Sequence, residues 1–193
     1  TGAIGSAGPP LELDAAQVTI DLSSSAVTNY LHLIGTHNPT PDVVVSGLKT
    51  GDALYLSGTL DRLLVGPTFV GTLYLGNSAS KFAAPKSLIM TATSATVDAS
   101  TAANVEWESS GSIEVLAGTL NLGENVGQDS TMTVSGGSVQ VDDWTAVTGD
   151  QLDIHGGTVT WLAGSSGLTP SSITTIRTIN VYGGTFTVAA NQS

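Results

Sequence analysis

The segment Met132-Thr133-Val134-Ser135-Gly136-Gly137-Ser138-Val139-Gln140-Val141 decides how this chain is read. Its two halves each alternate apolar with polar residues, which sends the apolar side chains to one face of a short strand. Between them Gly136-Gly137 stands where the chain must turn a corner, and Gly tolerates the positive φ that corners demand. The template returns at Leu152-Asp-Ile154-His-Gly156-Gly157-Thr-Val159-Thr-Trp161 and at Ile179-Asn-Val181-Tyr-Gly183-Gly184-Thr-Phe186-Thr-Val188. Upstream it is Ile113-Glu-Val115-Leu-Ala-Gly118-Thr-Leu120-Asn-Leu122, so the starts lie 19, 20 and 27 residues apart.

A tight bend between alternating strands also suits an antiparallel hairpin. Recurrence at about 20 residues favours the other arrangement, in which each repeat is one coil of a parallel β-solenoid, or β-helix. Ile113, Met132, Leu152 and Ile179 then form one inward ladder, and Val115, Val134, Ile154 and Val181 another. Leu54-Tyr-Leu56-Ser-Gly58-Thr-Leu60, Leu73-Tyr-Leu75 and Leu88-Ile-Met90 read as weaker copies aligned on the same first strand. Inserted loops are expected over 98–105 and 164–172. The fold class is therefore all-β, with a solenoid body over 54–193 and a cap or irregular first coils over 18–53. An extended Gly/Pro-rich arm over 1–17 precedes them.

The chain has 193 residues, with 5 Lys plus Arg against 16 Asp plus Glu, a formal charge of -11 and no cysteine. That excludes a disulfide framework, thiolate metal sites and a Cys nucleophile. The cations are Lys49, Arg62, Lys81, Lys86 and Arg177, so 87–176 holds ten carboxylates and no positive charge. Such a surface repels nucleic acid and anionic membranes, and neither is expected as a partner. No apolar run approaches the ~20 residues of a membrane span, and Thr1–Gly5 lacks the basic and apolar regions of a secretion signal.

Stacking Leu122 on Val141 places Glu124 beneath Asp143, with Asp142 beside them. Such a group could hold a cation or serve a polysaccharide-cleaving enzyme, but splayed, solvated carboxylates are the simpler expectation. His32, His37 and His155 fall in no metal or catalytic spacing and are read as structural. No catalytic residue, cofactor or metal is therefore assigned. Trp161 is read as core and Trp107 as part of a packed insertion. Trp144, beside two acids, is a candidate glycan contact. Outward positions of the aligned first strands run Tyr55, Tyr74, Ile89, Glu114, Thr133, Asp153 and Asn180. The large apolar side chains at the start of this row suggest a buried interface. With the arm anchors Ile4, Leu11 and Leu13, the residues Tyr55, Tyr74 and Ile89 form the expected partner surface.

At its Gly-Gly coils the sequence resembles the parallel β-helices of bacteriophage virion proteins, over 54–188 and in architecture alone. The resemblance implies a non-enzymatic capsid decoration or cement protein on the exterior of the virion. It would be a homo-oligomer, with a trimer favoured, bound to the major capsid protein. A tail fibre or receptor-binding adhesin is the nearest alternative, and a polysaccharide-cleaving β-helix enzyme is the alternative from another class.

Overall fold

A computed structural model describes residues 4–21, 28–34, 42–47, 53–76, 82–83, 86–99, 105–106, 112–122, 131–141, 151–162 and 178–189. Among these residues every regular element is a strand. Sheet 1 stacks β1 (Leu11–Leu13), β3 (Asn29–Leu33), β5 (Ala53–Thr59), β7 (Gly71–Leu75), β10 (Ala95–Ala99), β13 (Thr119–Leu122), β15 (Ser138–Val141), β17 (Thr158–Leu162) and β19 (Thr185–Ala189). Sheet 2 stacks β2 (Gln17–Asp21), β4 (Asp42–Ser46), β6 (Arg62–Val65), β9 (Ser87–Met90), β12 (Ser112–Val115), β14 (Thr131–Val134), β16 (Gln151–Ile154) and β18 (Thr178–Val181). Short β8 (Phe82–Ala83) and β11 (Val105–Glu106) continue sheet 1 sideways from β5. The chain alternates between the sheets, so one coil is a sheet 2 strand followed by a sheet 1 strand.

Neighbouring strands in both sheets run parallel, which establishes the solenoid and removes the hairpin. Ile113 pairs with Met132, Met132 with Leu152 and Leu152 with Ile179. Leu54, Leu73, Val97, Leu120, Val139 and Val159 form the matching buried ladder of sheet 1. Coil length is not constant. It is 19 residues from Ser112 to Thr131, 25 from Gln17 to Asp42 and 27 from Gln151 to Thr178.

The corner explains the glycine pair. Gly137 has φ 72° and Gly157 φ 73°, in the left-handed region that side chains disfavour. A Cβ on Gly157 would also stand 2.6 Å from the Gly137 carbonyl oxygen. That carbonyl accepts a hydrogen bond from the Thr158 amide at 3.0 Å, and Ser138 N–H donates likewise to Gly118 at 2.8 Å. The bend therefore carries the ladder of backbone bonds from one sheet to the other.

Three expectations need correction. First, β5 and β7 belong to sheet 1, in register with β10 and β13, whereas β9 and β12 belong to sheet 2. Leu54-Tyr-Leu56 and Leu73-Tyr-Leu75 are thus second strands of their coils. Alternation specifies which side chains point inward but is the same for both strands of a coil. Second, residues 18–53 begin the regular stack, since β2 pairs with β4 and β3 with β5. Third, the described part of the arm lies on its own chain. Leu11–Leu13 pairs with Leu31–Leu33, Tyr30 N–H donates to the Ile4 carbonyl at 2.7 Å, and Ile4 N–H donates to Asn29 Oδ1 at 3.1 Å. Ile4, Leu13 and Ala15 pack against the core, covering the edge that the first coil would expose.

Candidate functional site

Each sheet turns one face inward, so function falls to the outward rows that the register assembles. On sheet 1 the central row is Tyr30, Tyr55, Tyr74, Asp98, Asn121, Gln140, Thr160 and Thr187. The tyrosine rings stack, with centroids 4.7 Å apart between Tyr30 and Tyr55 and 4.5 Å between Tyr55 and Tyr74. Their planes lie within 12° of parallel. Both faces of Tyr55 are therefore covered by its neighbours. Burial pushes its phenol pKa up, and the nearby Tyr74, Tyr30 and Asp98 push it further.

On sheet 2 the corresponding row is Thr19, Val44, Leu64, Ile89, Glu114, Thr133, Asp153 and Asn180. Val44, Leu64 and Ile89 are consecutive and half-buried. They form an apolar stripe on a face where the rest of the row is polar. Asp42 and Arg62 border it with a 3.0 Å ion pair. The expected interface is thus divided: Tyr55 and Tyr74 occupy one sheet and Ile89 the other. Ile4 and Leu13 are packed on the core, and Leu11 alone of the arm anchors is exposed. Val44 and Leu64 were not expected, yet the sequence carries their signal. Val43-Val44-Val45, Leu63-Leu64-Val65 and Leu88-Ile89-Met90 are apolar throughout, the pattern of strands whose two faces both need cover.

Towards the end of sheet 2, Asp153 accepts hydrogen bonds from Gln151 Nε2 at 2.6 Å and Asn180 Nδ2 at 2.8 Å. Those bonds, Asn180 first, hold its carboxyl below the usual carboxylate range. His155, at a corner, stacks on Tyr182 with centroids 4.7 Å apart.

The register also aligns Glu12, His32 and Ser57 on the outside of sheet 1, a carboxylate, an imidazole and a hydroxyl in sequence. Ser57 is fully buried, and its hydroxyl donates to the Leu31 carbonyl at 3.2 Å. With that single proton engaged, His32 Nδ1–H is the donor in its 3.0 Å bond to Ser57 Oγ. An imidazole that donates to a serine is not acting as its base, so this pair fastens β3 to β5.

Among the described residues no group of three or more His, Cys, Asp or Glu side chains is placed to hold a metal ion. Glu124, Asp142, Asp143, His37, Trp107 and Trp144 lie outside the described residues, as does the Trp161 side chain. Comparison with known proteins finds no matching family model, no matching curated protein and no matching solved structure.

Proposed function

We propose that this protein is a structural component of a larger assembly, attaching through the outward face of sheet 2. The observation that carries this reading is the Val44–Leu64–Ile89 stripe. Three adjacent apolar side chains on a flat, rigid sheet stay partly wet until another surface covers them, and each contributes up to ~1.5–3 kcal/mol when fully buried. The five cations of the chain offer little attraction to an acidic partner, which leaves apolar contact as the adhesive term.

The assembly we favour is a virion. In this reading the chain is a capsid decoration or cement protein that lies with sheet 2 against the major capsid protein. Sister copies group laterally, as a trimer, along the same face. Two measurements test it. In virions from cells expressing a tagged copy, immunogold label should decorate the shell. Label confined to tails, or absent from particles, overturns the virion reading. Leu64→Ser with Ile89→Ser should abolish binding to purified shells while leaving the far-UV circular dichroism unchanged, and binding equal to that of the parent chain removes the stripe from the attachment surface.

A further inference from the structure

We propose that two copies of this chain join end to end through their last coil, β18 and β19 of one continuing antiparallel into β18 and β19 of the other across a two-fold axis. The two ends of the stack differ. At the first, residues 4–15 lie over the opening coil and Asn29 ties Ile4 to it. At the last, the inward positions are left wet: Val181 is 51% exposed and Val188 48%, with Ile179 and Phe186 only partly buried. One coil earlier the same ladder positions, Leu152, Ile154 and Val159, are 0% exposed. Among the described residues β18 and β19 also pair on one side only, so their outer edges present a template for further strands.

Charge selects the occupant. A chain of formal charge -11 repels its own copies over most of its surface. Residues 178–189, Thr-Ile-Asn-Val-Tyr-Gly-Gly-Thr-Phe-Thr-Val-Ala, contain no ionisable carboxylate or cation. The opposite end carries exposed Glu12, Asp14 and Asp21. A second copy therefore meets least repulsion, and most unburied apolar surface, at the last coil. Parallel stacks related by a two-fold meet with antiparallel strands, so both sheets continue at once. The acidic, covered first coil offers no matching edge, and the contact closes at two ends rather than growing into a filament.

Light scattering on the full chain tests this. The parent should show twice the mass of the variant Val181→Glu with Val188→Glu, whose substitutions fall on half-exposed side chains. Leu11→Glu, at the other end, should leave the mass unchanged. The factor of two applies whatever lateral grouping the sheet 2 stripe produces, so loss of the lateral contact through Leu64→Ser with Ile89→Ser leaves it intact. As a second measurement, Val188→Cys supplies the sole thiol of the chain, and mild oxidation should yield a covalent dimer. Equal masses for the parent and the double Glu variant, open fibres, or no dimer on oxidation each overturn the proposal.

Discussion

Replacing Gly137 by Ala should destabilise the protein by about 1–3 kcal/mol, because the new Cβ meets both a left-handed φ and the backbone of the coil beneath. Gly8→Ala is the control: no atom lies within 4 Å of an added Cβ there, and its effect should stay within about 0.5 kcal/mol. Urea unfolding compares the two. Asn29 is buried in the apolar ladder, opposite Leu54, and accepts the Ile4 amide. Asn29→Ala should therefore release the first residues, read as faster hydrogen exchange at Ile4 and Tyr30 with exchange at Leu120 unchanged. Tyr55 supplies a pH signature. Its pKa is raised in the folded state, so the folded chain holds the phenol proton more tightly than the unfolded chain does. The resulting stabilisation is complete below the ordinary phenol pKa near 10 and is lost as pH rises through the folded value. Tyr55→Phe should flatten the fall in stability above about pH 10, and an unchanged alkaline limb would assign that fall to other groups.

A strand here is legible one face at a time. The inward ladders of β12, β14, β16 and β18 follow from the sequence because each sits next to a Gly corner, and the corner distinguishes the first strand from the second. Around Tyr55 and Tyr74 that marker is weaker. Leu54-Tyr-Leu56 and Leu63-Leu64-Val65 both present inward apolar pairs, and nothing local separates the sheets. The outward rows were missed for the same reason. A row is a property of register between residues 20 to 27 apart, and it changes sheet if one strand is reassigned. The tyrosine stack shows the consequence. Tyr55 touches two rings and Tyr30 and Tyr74 are its outer neighbours, each stacked pair adding about 0.5–1.5 kcal/mol beyond burial. Tyr55→Ala should cost more than Tyr74→Ala by roughly one such pair, measured by thermal unfolding. Val134→Asp belongs at this scale too. It places an unpartnered charge in a fully buried ladder and should prevent folding, seen as loss of the strand signal.

The whole molecule is a stack in which every inner coil meets its neighbours in the same way. Deleting residues 131–150 removes β14 and β15 and brings β16 beneath β12, with Leu152 on Ile113 and Val159 on Leu120. The shortened chain should fold with the same strand content per residue and a lower unfolding midpoint. An unfolded product would mean that individual coils carry information specific to their neighbours. The constant spacing between strands then makes length a discrete quantity. Sheet 2 spans seven steps from β2 to β18, about 34 Å at ~4.8 Å each. Loops can lengthen a coil from 19 to 27 residues without changing that step. The protein is thus a ruler whose graduations are counted in coils rather than in residues. A lineage that gained or lost one repeat would shift the reach between its two ends by one graduation and leave the outward rows aligned.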